Sequence, residues 1–212
     1  MLVYLAACHA DSPYFDLANH KNLFSPERLE AVSKRPPADQ RRTAAGQWLL
    51  KRLFEEHYPH IAFPPVFSYG RQDKPALAEF PDLGFNLSHS GAWAVCALCE
   101  APVGVDIQQE RPVREQLIRR FSAGEQALLN ALSGQERQSA LYDLWTLKEA
   151  YCKCTGNGLR TPLNATSFTL SPVTIDQRGF VPELVPFPES DYHLAVCVQT
   201  TEAIQVKLTV LS

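Results

Sequence analysis

Ten residues constrain this chain more than any others: Leu144-Trp145-Thr146-Leu147-Lys148-Glu149-Ala150-Tyr151-Cys152-Lys153, a helical run that is apolar around most of its circumference. Such a helix must be covered on nearly every side, so it belongs to the interior of a layered domain. Yet it carries Glu149 and Lys153, four apart and on one face. An ordinary exposed ion pair at this spacing would contribute about 0.3–0.5 kcal/mol and would sit in water. The aromatic and aliphatic neighbours argue for burial instead, where a charge needs a strong partner such as a metal ion or a phosphate. Spacing alone leaves both readings open.

The composition can build the interior that this helix requires. With 212 residues, 45% hydrophobic and 20% charged, the chain can bury a substantial core as one large domain or two small lobes. No run approaches the ~18 apolar residues of a membrane span, and Met1-Leu2-Val3-Tyr4-Leu5-Ala6-Ala7-Cys8 lacks the basic flank of a secretion signal. The expectation is a soluble, cytoplasmic protein. A net charge of -3 argues against coating nucleic acid while allowing a local basic pocket for one phosphorylated ligand. Cys96 and Cys99 lie three apart in a strand-like segment and so face opposite sides, while Cys152 and Cys154 sit about 200° apart on a helix. Neither pair chelates well, and buried, reduced thiols are expected.

The order of elements suggests two halves. An apolar strand at Val3 to Cys8 precedes a helix start at Ser25-Pro26-Glu27 and a longer helix from Asp39 to Tyr58, closed by Pro59. A hairpin follows, Gly84 to Ser88 and Ala92 to Leu98, around a polar turn at His89-Ser90-Gly91. Val103 to Ile107 forms the next strand, and Ser122-Ala123-Gly124-Glu125 fits a capping box. The long helix from Glu136 to Cys154 stops at Thr155-Gly156-Asn157-Gly158, and strands follow near Ser167 to Leu170, His193 to Val198 and Ile204 to Leu211. The economical reading is an α+β fold of two similar lobes, residues 1–101 and 102–212, packed as a pseudo-dimer.

Other residues carry chemistry more weakly when taken singly. Asp106 ends the apolar run Val103-Gly104-Val105, where a strand could deliver it to a cleft, although strand-closing aspartates are commonly turn residues. Ser88-His89-Ser90 offers hydroxyls and an imidazole, and Lys74-Pro75 alone reads as a solvated lysine.

Together and in order, these blocks resemble the 4'-phosphopantetheinyl transferase superfamily, specifically its longer, monomeric Sfp-type branch. The likeness rests on Lys74-Pro75 leading into Phe85-Asn86-Leu87-Ser88-His89-Ser90, on Val103-Gly104-Val105-Asp106-Ile107, and on Leu144 to Lys153. It implies an active site in the cleft between the lobes. It also implies a reaction, in which the phosphopantetheine arm of coenzyme A moves to a serine hydroxyl of a carrier protein and adenosine 3',5'-bisphosphate leaves. Asp106 and Glu149 would hold Mg²⁺, Glu149 would accept the serine proton and Lys153 would reach the pyrophosphate. Lys74, Ser88, His89 and Thr43 would contact the nucleotide end. The family often has a third acid two residues after the first aspartate; here that position is Gln108, whose amide oxygen can still serve a metal, less strongly. The 3'-phosphate ligands are not identified; Arg28, Lys34 and Arg35 lie near.

Carrier proteins are usually acidic. Arg111, Arg114, Arg119, Arg120 and Phe121 form a basic stretch around a short apolar helix with Val113, Leu117 and Ile118. These residues are expected to steer and grip the carrier, against the alternative of a solvated basic helix. A protein that binds coenzyme A or a carrier without turnover is the alternative function, and Gln108 is its motive. A serine hydrolase on Ser88 or Ser90 is weaker still, since no Gly-X-Ser-X-Gly turn is present.

Overall fold

The computed structural model describes residues 1–70, 74–112, 115–158 and 162–211. Strand β1 (Leu2–His9) is followed by helices α1 (Pro26–Ser33) and α2 (Pro37–His57), and then by β2 (Phe67–Tyr69), β3 (Pro75–Leu77), β4 (Gly84–Ser90), β5 (Trp93–Cys99) and β6 (Val103–Gln109). Helices α3 (Glu115–Ile118), α4 (Ala123–Ala131) and α5 (Gly134–Thr155) precede β7 (Phe168–Leu170), β8 (Val173–Ile175), β9 (Val181–Val185), β10 (Tyr192–Val198) and β11 (Gln205–Leu211). The fold is mixed α+β, as expected. No helix among the described residues is long and apolar enough to cross a membrane.

Two sheets do most of the work, one ordered β11-β1-β5-β4 and the other β6-β10-β9. The inner strands β1, β5 and β10 are almost continuously buried because both faces are covered. In β5, Val95, Ala97 and Cys99 point into a core shared with Val105 and Ile107 of β6 and Leu194 and Val196 of β10. The alternate residues Ala94, Cys96 and Leu98 meet Ala45, Leu49, Leu53 and Phe54 of α2. On the far face of the second sheet, Ala195 and Cys197 pack on Leu144, Leu147 and Ala150 of α5. The layers therefore run helix, sheet, sheet, helix, and α5 is covered as its sequence requires. The Cys96 and Cys99 side chains fall in different cores, and all six cysteines are buried and free.

Local signals explain the helix ends. The Ser25 side chain accepts from the Arg28 amide at the start of α1, and Ser122 with Glu125 forms the reciprocal capping box of α4. Helix α5 stops at Gly156, whose φ of 70° is left-handed and suits glycine.

Three expectations change. The polar turn at 89–91 is shorter than read, because β4 continues through Ser90. Strand β6 runs on to Gln109, so Asp106 lies inside a strand and does not end one. The chain step between residues 101 and 102 leads from the first sheet to the second, yet β11 returns to pair in parallel with β1. That return is a tertiary choice which the local pattern of residues 204–211 does not encode.

Candidate active site between β4, β6 and α5

Gly104 sets the geometry. A Cβ there would stand 2.0 Å from the Ala150 carbonyl oxygen and 2.4 Å from the Cys154 amide nitrogen, so only glycine lets α5 lie this close to β6. Alternation along β6 then turns Asp106 toward α5 while Val105 and Ile107 fill the core between the sheets. Asp106 is only 2% exposed.

Its carboxylate is heavily partnered. Oδ1 accepts from Lys153 Nζ at 2.6 Å and from the Ser88 hydroxyl at 2.8 Å, and Oδ2 accepts from Gln108 Nε2 at 2.8 Å. Lys153 also donates to Ser88 Oγ at 2.7 Å and to the Val105 carbonyl at 3.2 Å. Its ion pair is thus made with Asp106 across the site, and the spacing of four to Glu149 is not what engages it.

Glu149 is treated differently. Its Oε1 is buried without a hydrogen-bond partner. Burial and then the neighbouring Asp106 charge push its pKa up to about 7, with Lys153 only partly opposing them. Two carboxylates held this close with one oxygen unsatisfied form a site short of positive charge, and a hard divalent cation matches that deficit. Among the described residues no group of three or more His, Cys, Asp or Glu is arranged to hold a metal ion, and the oxygen donors available at this centre are Asp106, Glu149 and the neutral Gln108. They fit Mg²⁺ provided that other oxygens complete its shell.

The remaining candidates lie around this centre. Lys74 gives its ammonium to the Cys154 carbonyl at 2.8 Å and the Val103 carbonyl at 3.3 Å, and burial lowers its pKa. His89 has its pKa lowered by partial enclosure, then by Arg42 and Lys153, so the imidazole is neutral at neutral pH. Thr43 lies on α2, where its hydroxyl donates to the Asp39 carbonyl and accepts from Arg35 Nη1 at 3.4 Å. Lys34 pairs instead with Glu30, and Arg28 lines a separate cavity with Gln47 and Tyr69.

A polar cavity of about 310 Å³ opens beside the centre, lined by Arg42, His89, Ser90, Gln108, Arg111 and Tyr142 among others. Sequence reasoning passed over Arg42 and Tyr142. The Arg41-Arg42 pair precedes Thr43 and was the available signal for the first; nothing local marks Tyr142, whose hydroxyl accepts from the Arg111 amide and donates to its carbonyl. His193 was also missed. Burial alone would lower its pKa, but hydrogen bonds to Asp143 at 2.7 Å and Glu110 at 3.0 Å outweigh this and raise it.

The basic stretch needs a correction. Ile118 and Phe121, read as gripping a partner, are 5% and 1% exposed and belong to the core under α5. Arg111, Arg119 and Arg120 are exposed and Leu117 is half-buried, while Val113 and Arg114 lie outside the described residues.

Comparison with known proteins identifies the family. Residues 102–197 match the 4'-phosphopantetheinyl transferase superfamily. The chain is 32% identical over 198 residues to the 4'-phosphopantetheinyl transferase Sfp of Bacillus subtilis strain 168, covering 92% of this chain and 84% of that protein. A second Bacillus subtilis 4'-phosphopantetheinyl transferase is 34% identical over 168 residues, 75% of this chain and 74% of that one. The crystal structure of Thermotoga maritima holo-[acyl-carrier-protein] synthase aligns with a TM-score of 0.40 at 20% identity, over 48% of this chain and 64% of that one. With sequence likeness running through both halves, the chain belongs to the 4'-phosphopantetheinyl transferase superfamily.

Proposed function

We propose that this transferase moves the 4'-phosphopantetheine arm of coenzyme A to a serine hydroxyl of an apo carrier protein at a Mg²⁺ site built on Asp106 and Glu149. The observation that carries the reading is the buried, unpartnered Glu149 oxygen beside the Asp106 charge. Bound there, Mg²⁺ would supply positive charge to the pyrophosphate oxygens as negative charge develops on them. Gln108, tied to Asp106 through its amide nitrogen, keeps its oxygen available to the ion directly or through water.

In the transfer the serine oxygen bonds to the pantetheine-bearing phosphorus, the bond from that phosphorus to the bridging oxygen breaks, and adenosine 3',5'-bisphosphate leaves with the electron pair. Glu149, or a water it orients, takes the serine proton. Lys153 adds a second positive charge next to Asp106. Ser88 orients the Asp106 carboxylate, and neutral His89 has a ring N–H to give a phosphate oxygen. Lys74 and Thr43 would contact the nucleotide end, with Arg35 as the basic residue already touching Thr43.

Two lobes, each a sheet backed by one long helix, frame the cleft within a single chain, which suits a monomeric enzyme. The buried free cysteines suit the reducing cytoplasm. Arg111 belongs both to the basic stretch and to the wall of the cavity beside Gln108. An acidic carrier drawn in by Arg111, Arg119 and Arg120 would therefore present its serine on the metal side.

The test incubates the protein with coenzyme A, Mg²⁺ and apo carriers of the fatty-acid, polyketide and peptide-synthetase kinds, then weighs the carrier. A gain of one phosphopantetheine is expected, and it should be lost in Asp106→Ala and Glu149→Gln. Coenzyme A bound with no gain on any carrier would favour the binding-only alternative. Full activity in both variants would overturn the site assignment.

A further inference from the structure

The face of the first sheet that meets the second is apolar along β1 and β5 and turns polar at β4. There Asn86, Ser88 and Ser90 stand two apart, opposite Ala97, Val95 and Trp93 of β5, and all three project toward β6. Strand β6 is the edge of its own sheet. An edge strand has a row of outward amides and carbonyls that its sheet cannot satisfy, and burying them unpaired is costly.

Here side chains satisfy them in register. The Val105 amide donates to Asn86 Oδ1 at 2.9 Å, the Ile107 amide to Ser88 Oγ at 3.4 Å and the Gln109 amide to Ser90 Oγ at 3.0 Å. Carbonyls on the same edge accept from lysines, Val103 from Lys74 and Val105 from Lys153. Two edge strands that share no ladder of their own are thus stitched by side chains, one rung every second residue.

We propose that Asn86 and Ser90 are positioning residues for the transfer: with Ser88 they form a side-chain ladder that seats β4 on the edge of β6 and so holds the Ser88 hydroxyl against the Asp106 carboxylate, orienting it. Asp106 lies between the rungs at Val105 and Ile107, and the middle rung is the same Ser88 hydroxyl that donates to its carboxylate. Asp106 and Glu149 belong to one unit, since β6 is paired with β10 and packed on α5 at Gly104; what the ladder sets is how β4 and its Ser88 hydroxyl meet the Asp106 carboxylate from the other side. The ladder also explains the alternation in Asn86-Leu87-Ser88-His89-Ser90, in which Asn86, Ser88 and Ser90 bond to β6 while Leu87 packs toward α2 on the other face. This inference rests on the proposed role of Asp106 as a metal ligand.

Hydrogen exchange read by NMR tests the ladder without using activity. In the wild type the amides of Val105, Ile107 and Gln109 should exchange slowly although they lie on a sheet edge. Asn86→Ala should quicken Val105, and Ser90→Ala should quicken Gln109, each about tenfold, the change expected for one lost hydrogen bond. Both variants should also bind Mg²⁺ more weakly by calorimetry and lose kcat by about tenfold or more with KM for coenzyme A held, the pattern of a misplaced group. Ser90→Thr, which keeps the hydroxyl, should restore all three readouts.

Unchanged exchange in the alanine variants overturns the ladder. Faster exchange with unaltered Mg²⁺ affinity and kcat overturns its positioning role. If the alanine variants do not fold, the wild type decides alone, because rapid exchange at the three edge amides contradicts the structure's central contacts. Failure of transfer in the wild type would count against the proposed function and leave the exchange result standing.

Discussion

Helix α5 supplies the lysines of two lysine–carboxylate pairs that are finished to different degrees. Lys148, 2% exposed, pairs with Glu125 at 2.8 Å and donates to the carbonyls of Leu163 at 2.7 Å and Thr166 at 2.6 Å. Its ammonium also lies 5.3 Å from the Phe121 ring centroid and 5.5 Å from that of Phe168. Glu125 in turn accepts from the amides of Ser122 and Phe168. All three donors of the ammonium have acceptors and both carboxylate oxygens have partners, and the pair ties α4 and α5 to β7. Around Lys153 and Asp106, by contrast, the next carboxylate, Glu149, has an oxygen with no partner and a pKa raised to about 7. The difference teaches where to look for function: a closed buried network holds the fold, and one with surplus negative charge awaits a ligand.

The largest expected effect breaks the unfinished side. Glu149→Gln should lower carrier modification about 10²–10⁴-fold, the range for a lost proton acceptor. It should raise stability at the same time. The sign follows from the raised pKa: between the ordinary value of 4.5 and about 7 the folded state holds a proton that the unfolded chain releases, so stability falls as pH rises through this window. Glutamine removes that loss, and denaturant unfolding at pH 8 should read the gain. A stability loss in this variant would contradict the contrast.

On the finished side, Lys148→Ala should cost about 3–5 kcal/mol of stability, since it strands a buried carboxylate. Lys153→Ala, 28% exposed at its side chain and next to the open part of the site, should lose activity with a smaller stability change. Equal unfolding midpoints for the two lysine variants would erase the distinction. Gly104→Ala should cost about 1–3 kcal/mol through overpacking, and should reduce activity as well because α5 must move off β6. The smallest effect belongs to the surface. Arg119→Glu with Arg120→Glu should slow carrier encounter and flatten the salt dependence of the rate while leaving coenzyme A binding unchanged.

Much of this was legible in the sequence for a physical reason. Capping residues, helix periodicity and stop signals are local, so α1, α2, α4 and α5 were readable, and the burial of α5 followed from its apolar circumference. The three-residue strands β2, β3 and β8 carry too few residues for a period to emerge, although β7 was read near Ser167 to Leu170. At the site, Asp106 and Glu149 could be named only through the order of three blocks. The partner of Lys153 lies 47 residues away in sequence, and Ser88, read as a phosphate contact, first serves Asp106 from 18 residues away. Ile118 and Phe121 were misread because a short amphipathic stretch does not reveal which neighbour covers it; here the core under α5 does.

The central claim is that the fold holds Asp106 and Glu149 together in need of a cation. Titration calorimetry with Mg²⁺ at pH 7, repeated in buffers of different ionisation enthalpy, tests it most directly. With the Glu149 pKa at about 7, a fraction of the molecules must release a proton on binding. The expected result is Mg²⁺ binding coupled to proton release in the wild type, with the release abolished in Glu149→Gln and binding abolished in Asp106→Ala. Equal binding and equal proton release in all three proteins would contradict the claim.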